Sequence, residues 1–229
     1  MRKFFAGLCA AAAILVAGPA LAADLPQYAP PPPPPPVDNG LGGSFYLRAS
    51  LGGNMLWTNN HIFGDAVGSD TPTAAGYGYS YGAGFGYEAG NGLRADVTLD
   101  ELSNDGLTDG IDTLHLRSTL ALANAYYDFS LGSVGDGGLG AYVGAGLGGA
   151  YYQLTTTGSD PQPDGSGYTP AAAAMVGVTY DMGAAVADLG YRLVYMPQMS
   201  NNVQFPGSSY YLNDNFVNEI RASLRYRLN

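Results

Sequence analysis

The chain has almost no cysteine, lysine or histidine. Its single cysteine is Cys9 and its single lysine is Lys3, both at the very start of 229 residues. Downstream of Cys9, disulfides, thiolate catalysis and cysteine-ligated metals are therefore excluded. Two histidines, His61 and His115, offer little for an imidazole-based site. We expect no cofactor and no metal.

Charged residues are also scarce, at 12% of the chain, about half of their usual share in soluble domains. The formal net charge is −10, so the basic surface that nucleic-acid binding requires is missing. Glycine and tyrosine are abundant instead, with 34 and 18 residues. After Lys3 the only cations are seven arginines, all in segments that we predict to be strands: Arg48, Arg94, Arg117, Arg192, Arg221, Arg225 and Arg227.

Long apolar runs are missing except at the start. Arg2 and Lys3 precede an apolar stretch from Phe4 to Val16, and Ala20-Leu21-Ala22 then supplies small residues for cleavage between Ala22 and Ala23. This pattern predicts a secretory signal peptide over 1–22. No later run approaches the 18 or so apolar residues of a membrane helix, so any membrane crossing falls to strands.

Residues 23–41 include seven consecutive prolines, Pro30 to Pro36. Proline removes a ladder donor and favours polyproline II, which extends about 3 Å per residue. We therefore predict a proline-rich periplasmic tether over 23–41, followed by a folded domain over 42–229.

From Gly42 onward, apolar and polar residues alternate with a period of two, which predicts half-buried strands. The predicted strands are 43–57, 75–89, 92–101, 113–130, 139–154, 169–182, 184–196 and 214–229. The connections are long after the odd strands, at Thr58 to Ala74, Leu102 to Asp112, Thr155 to Tyr168 and Pro197 to Asn213. Those after the even strands are short. This asymmetry predicts an all-β fold, an eight-stranded antiparallel up-and-down transmembrane β-barrel, with both termini periplasmic.

The alternation predicts an apolar exterior and a polar interior. The fourth strand is irregular, since His115 and Arg117 share the parity of outward aromatics, and a bulge between Thr119 and Asn124 is one way to reconcile them. Outward aromatics fall into two bands, Phe45, Tyr87, Tyr127, Phe129, Tyr180 and Tyr226 at the inner rim, and Trp57, Tyr77, Tyr151, Tyr195 and Phe216 at the outer rim.

Charged residues of the predicted interior can form a network of ion pairs, because an eight-stranded barrel is narrow enough to be filled by its own side chains. The predicted members are Arg48, Arg94, Asp96, Asp100, Asp181, Asp188, Arg192, Glu219, Arg221, Arg225 and Arg227. The inward glycines of strands two and five leave room for arginine side chains, and the same space is open to water or ions. A structural plug and an open channel are both compatible with the sequence.

Several segments resemble the small porin-like surface proteins of alphaproteobacteria, in the OmpA-type and opacity-type β-barrel family. They are Ala23-Asp24-Leu25-Pro26, the proline spacer, Phe45-Tyr46-Leu47-Arg48-Ala49-Ser50, Asn124-Ala125-Tyr126-Tyr127-Asp128-Phe129, Tyr142-Val143-Gly144-Ala145-Gly146 and Asp188-Leu189-Gly190-Tyr191-Arg192. The resemblance implies insertion by the outer-membrane assembly machinery. It also implies that Ala23 and Asp24 are a peptidoglycan attachment point, the alternative being an ordinary processed terminus.

The predicted outer loops are acidic, with Asp65, Asp70, Asp105, Asp109, Asp112, Asp160, Asp164 and Asp214. These carboxylates either form a solvated surface or chelate cations that bridge lipopolysaccharide, and Asp105, Asp109 and Asp112 lack EF-hand spacing. Recognition of host or phage molecules by the loops is a further hypothesis. An acyl-ester hydrolase with a Ser-His-acid group is the rival class, but neither histidine lies near a nucleophile motif. We predict no catalytic residue and an envelope-stabilising role, with a small porin as the alternative.

Overall fold

The computed structural model describes residues 43–63, 74–108, 110, 112–135, 137–159, 163–202 and 210–228, without the side chains of 59–63 and 210. These ranges form eight strands: β1 (Ser44–Phe63), β2 (Gly76–Glu88), β3 (Leu93–Thr108), β4 (Asp112–Val134), β5 (Gly137–Gly158), β6 (Gly165–Asp181), β7 (Ala185–Ser200) and β8 (Tyr210–Arg227). The described part contains no helix long and apolar enough to span a membrane. The predicted signal peptide and tether lie outside it.

Each strand pairs antiparallel with the next, and β8 pairs with β1, so the sheet closes into a barrel with the strands in chain order. Ala49 of β1 illustrates the closure, lying opposite Ala83 of β2 and Leu224 of β8. The predicted fold is confirmed. Closure leaves no unpaired edge between the strands, which is what a β-structure in lipid requires.

The strands are longer at one end than the sequence predicts. β3 runs to Thr108 and β5 to Gly158, so the predicted loops Leu102 to Asp112 and Thr155 to Tyr168 are largely strand. Threonine and other polar residues there had indicated loop, yet threonine is a good strand former. The connections that remain at this end are 64–75, 109–111, 159–164 and 201–209. We call it the long-loop end.

The other end carries the short turns at 89–92, 135–136 and 182–184, and the first and last residues of the barrel, Ser44 and Arg227. Gly92 and Gly183 have positive φ angles of 90° and 93°, which a side chain would strain. We call this the short-turn end. Both termini of the described barrel therefore lie opposite the long loops.

The outward face of the barrel carries a band of exposed apolar side chains. Leu51, Leu147 and Ile220 are 69%, 71% and 68% exposed. Aromatic rings meet at its borders. Towards the short-turn end Phe45 stacks on Phe85 and Tyr127 meets Phe129 edge to face, and towards the long-loop end Tyr151 packs on Tyr168 and Tyr195 on Phe216. Such a band is far larger than the apolar patches of soluble monomers and is typical of lipid-facing barrels.

Along β3 the outward and inward faces exchange their chemistry. Outward residues are apolar from Leu93 to Leu99 and polar from Glu101 to Asp105, while inward residues are polar up to Asp100 and then include buried Leu102. Beyond Leu99 the wall is therefore organised like that of a soluble protein, polar outside and apolar inside. The outward face of β4 changes in the same way, because outward Thr119 gives way to Ala121.

The predicted bulge between Thr119 and Asn124 is wrong. Register with β3 and β5 is continuous through this segment, and the shifts lie between Asp105 and Leu107 and between Ser130 and Gly132. His115 and Arg117 point outward because this part of β4 lies beyond the apolar band, where an outward charge meets water.

Candidate functional site

The barrel interior is the candidate site, and its first layer lies at the short-turn end. Arg225 donates from Nε and Nη2 to Asp188 at 3.0 Å each, and it also contacts Glu88. Arg227 bridges Glu88 at 2.8 Å and Asp181 at 2.8 Å and 2.9 Å. A recess of about 370 Å³ opens at this end, and Glu88, Asp181, Arg225 and Arg227 are part of its lining. Two arginines and three carboxylates thus form a linked set of ion pairs at the short-turn end.

The second layer combines two ion pairs with tyrosines. Arg48 donates to Asp96 at 3.2 Å, and Arg94 binds Asp128 through two bonds of 3.0 Å and 3.1 Å. The Tyr46 hydroxyl donates to Asp96 at 2.9 Å. The Arg94 guanidinium lies 3.9 Å from the centre of the Tyr126 ring, close enough for a cation–π contact. The arginines are held on both their edges and their faces.

The third layer centres on Asp100, which accepts from Arg192 and from Arg221 at 2.6 Å each. Arg192 also binds Glu219 at 2.7 Å and 2.9 Å, and the Ser80 hydroxyl donates to Glu219 at 2.6 Å. All of these groups are buried. Charge-assisted, two-point bonds of this kind offset much of the desolvation of the ions.

The ion-paired layers end at an amide pair. Asn104 donates to the Asn54 side-chain oxygen at 2.8 Å. Beyond it, towards the long-loop end, the interior is packed with leucine and methionine. Fully buried members of this apolar layer include Leu56, Leu116, Leu154, Met199 and Val217. The lumen is therefore filled by ion pairs in one half and by an apolar core in the other.

Inward glycines make room for these side chains, although not for the arginines that the sequence led us to expect. A Cβ at Gly82 would lie 2.0 Å from an oxygen of Asp100, and one at Gly146 would lie 2.1 Å from Asn124. Tyr126 occupies the space over Gly144, where a Cβ would be 2.3 Å from its ring. The space is taken by a neighbouring strand's side chain.

All eleven residues of the predicted network take part in ion pairs: Arg48, Arg94, Asp96, Asp100, Asp181, Asp188, Arg192, Glu219, Arg221, Arg225 and Arg227. Sequence reasoning missed Glu88 and Asp128, which share three of the arginines. Their inward parity on β2 and β4 was a usable signal. The contributions of Tyr46 and Tyr126 could not be predicted from the sequence, because tyrosine is also common at outward-facing positions of such strands.

Outside the barrel, a polar cluster lies beyond the apolar band. His115 Nδ1 is 2.8 Å from Asp105, His115 Nε2 is 3.0 Å from the Thr157 hydroxyl, and Arg117 makes bonds of 2.8 Å and 3.2 Å to Asp105. The Arg117 guanidinium, bonded to this carboxylate, lowers the pKa of Asp105. We call these four residues the outer-wall cluster.

The outer-wall cluster has the acid, imidazole and hydroxyl of a nucleophilic triad. Two features count against catalysis: Asp105 is shared with Arg117, which weakens its support of an imidazolium, and Thr157 sits in a regular strand whose N–H groups are used by the ladder rather than aimed at an oxyanion. The cluster is a cross-strand hydrogen-bond network.

The acidic residues of the predicted loops are dispersed. Asp105, Asp112 and Asp214 lie in β3, β4 and β8, and Asp164 precedes β6, while Asp65, Asp70, Asp109, Asp160 and the His61 side chain fall outside the description. No group of three His, Cys, Asp or Glu suited to a metal occurs among the residues that are described. Ala22, Ala23 and Asp24 also lie outside the described residues.

No protein-family model and no curated protein matches the chain. Among solved structures it is similar to Neisserial surface protein A, at 19% identity and a TM-score of 0.54, over 82% of this chain and 99% of that one. The chain is also similar to Ail of Yersinia pestis, at 13% identity and a TM-score of 0.42, over 81% of this chain and 99% of that one. Likeness at this identity shows a shared fold, not a shared activity.

Proposed function

We propose that this protein is a closed, structural β-barrel of a bacterial outer membrane that contributes to envelope integrity. The observation that carries the proposal is the double closure of the lumen, by ion pairs in one half and by an apolar core in the other. The exposed apolar band supports insertion in lipid. A barrel of eight strands has no space for a pore once these side chains are in place.

The positions of the ends support an orientation. Ser44 and Arg227 share the short-turn end, and barrels of this class keep their turns in the periplasm and their long loops outside. Both termini are then periplasmic. The polar strand extensions beyond Leu99 face the exterior, where the partners are lipopolysaccharide headgroups. Insertion requires the outer-membrane assembly machinery.

Planar-bilayer recording tests the closure. We expect no large, stable conductance from the refolded wild-type protein. A double variant of the apolar layer, Leu56→Ala with Leu116→Ala, should remain silent, because the ion-paired layers still fill the lumen. Reproducible channels from the wild type overturn the proposal and favour a small porin that passes ions or small solutes. Circular dichroism of each sample checks that the barrel has folded.

The second part of the proposal is a covalent link between Ala23 and peptidoglycan. In the proposed orientation the first strand begins at the periplasmic end of the barrel, so the chain enters the barrel from the side where peptidoglycan lies. Mass spectrometry of lysozyme-released peptidoglycan should find a muropeptide joined to the peptide that begins Ala23-Asp24. Recovery of that peptide only with a free amine removes this part and leaves the barrel proposal intact.

A purified-protein assay addresses the rival enzyme class. We expect no release of fatty acid from lipid A or phospholipid. If release is observed, Thr157→Ala and His115→Ala should both abolish it, whereas Thr155→Ala, one outward position away on the same strand, should not. Activity with that pattern contradicts a purely structural role.

A further inference from the structure

Gly53 is a strand glycine with no protein atom over it, as are Gly106 and Gly132, but those two have positive φ angles that account for glycine. Gly53 of β1 faces outward and has no heavy atom within 4 Å of an ideal Cβ, in contrast to Gly82, Gly144 and Gly146. Its φ is not in the left-handed region either. Glycine inside a strand costs about 0.5–1 kcal/mol relative to alanine, and it often marks close approach of a ligand. Neither packing within the barrel nor backbone geometry explains Gly53.

Gly53 lies in a groove on the outer wall. The groove is shallow and open, with a volume of about 480 Å³, and its outward-facing residues are Gly53, Met55, Tyr77, Tyr191, Asn218 and Ile220. It crosses four neighbouring strands, β7, β8, β1 and β2. None of these outward side chains is charged, and the groove is continuous with the lipid-facing apolar band.

A single amide interrupts the apolar lining. Asn218 accepts a hydrogen bond from the Tyr191 hydroxyl, and no described group accepts from its own Nδ2. On β8 it is the next outward residue after Phe216, which packs on Tyr195 in the outer aromatic band. This depth is the boundary between headgroups and acyl chains. An amide N–H there lacks bulk water and calls for an oxygen acceptor.

We propose that the groove binds one acyl chain of an outer-leaflet lipid. The ester or hydroxyl oxygen near the head of the chain accepts from Asn218 Nδ2, and the first methylenes lie over Gly53 against Ile220 and Met55. The groove is uncharged and apolar and offers one free N–H group, so the ligand that matches it is an uncharged hydrocarbon chain that carries one oxygen acceptor. Without a hydrophobic driving force in lipid, close packing against a glycine and a hydrogen bond are what retain such a chain.

The inference rests on the proposed membrane insertion, and the experiment separates the two. Wild-type protein is refolded into dimyristoylphosphatidylcholine vesicles that contain a small fraction of phosphatidylcholine with a photoactivatable diazirine on one acyl chain. After illumination, peptide mass spectrometry maps the labelled residues. We expect labelling concentrated on Met55, Tyr191 and Ile220 relative to Val176, an equally outward residue on β6. Protein that fails to fold in the vesicles contradicts insertion, not the groove.

Variants test whether the groove causes the enriched labelling. Gly53→Leu fills it without a clash and should remove the enrichment. Asn218→Leu should lower it about threefold, the effect of one membrane hydrogen bond. Gly149→Leu is the matched control, because Gly149 is an outward glycine of β5 far from the groove, and labelling should be unchanged. Uniform labelling of the wild type, unchanged labelling in Gly53→Leu, or protein–protein cross-links at the groove each overturn the proposal.

Discussion

Between the aromatic bands the inward faces of β1, β3, β7 and β8 carry arginines and carboxylates, whereas beyond the Asn54–Asn104 contact the interior is packed mainly with leucine and methionine. The strands run continuously through both regions, so the backbone does not make the difference. In the first region the outward face is apolar, and the charges are kept inside. In the second the outward face of β3 and β4 is polar, and their inward face holds buried leucines. What surrounds the wall decides which face is buried.

The two regions also differ in how they respond to damage. An ion-paired interior fails when one partner is lost, because the other charge is left buried without compensation. An apolar interior fails in proportion to the volume that is removed. The following variants break or sharpen this contrast, from the largest expected effect to the smallest.

Asp100→Asn should be the most destabilising single change. It removes the carboxylate that Arg192 and Arg221 share at 2.6 Å and leaves two buried guanidiniums facing a neutral amide. We expect a loss of about 3–5 kcal/mol in the free energy of unfolding, measured by denaturant titration in lipid vesicles. Thr98→Val, on the neighbouring inward position of β3, removes no charge and serves as control. A loss below about 1 kcal/mol contradicts a tightly coupled network.

Leu116→Ala tests the apolar half. Leu116 is completely buried, so its truncation should cost about 2–5 kcal/mol, depending on how far the cavity collapses. Leu147→Ala changes the same side chain on the lipid-facing wall, where Leu147 is exposed, and should cost much less. Equal losses of unfolding free energy in the two variants show that the interior at the long-loop end is not a packed core.

Gly82→Ala and Gly53→Ala make the same change on opposite faces of the wall. The new methyl at position 82 meets Asp100, and overpacking of this kind costs about 1–3 kcal/mol. At position 53 it meets no protein atom, and lower chain entropy in the unfolded state should stabilise the barrel by about 0.4–1 kcal/mol. Effects of the same sign contradict the assignment of Gly82 to an occupied position and Gly53 to an open one.

The outer-wall cluster should give the smallest effect. Because Arg117 lowers the pKa of Asp105 in the folded state, the stabilisation is present above the unfolded pKa and is lost as the pH falls through the folded pKa, below about 4. Asp105 is about half exposed, so solvent screening limits the gain to about 0.2–1 kcal/mol. Asp105→Asn should abolish this part of the pH dependence. If the stability of that variant still falls with pH as in the wild type, other titrating groups cause the loss of stability in acid.

Much of the interior could be predicted from residue parity. Arg94, Asp96 and Asp100 alternate with Leu93, Val97 and Leu99, and only one face of a closed wall in lipid can hold charge. The partners could not be predicted, because pairing across the lumen joins strands far apart in the chain, such as Arg192 with Asp100. Strand ends were also missed, since the rule of an apolar exterior stops at Leu99.

The sequence by itself determined the alternation, the number of strands and most of the interior charges, because a period of two and the choice between lipid and water act locally along each strand. Tertiary structure decided three other features: which arginine meets which carboxylate, which side chain lies over each glycine, and where the wall exchanges its polar and apolar faces. Each of these depends on the register between strands and on closure of the sheet, and neither is encoded in any one segment.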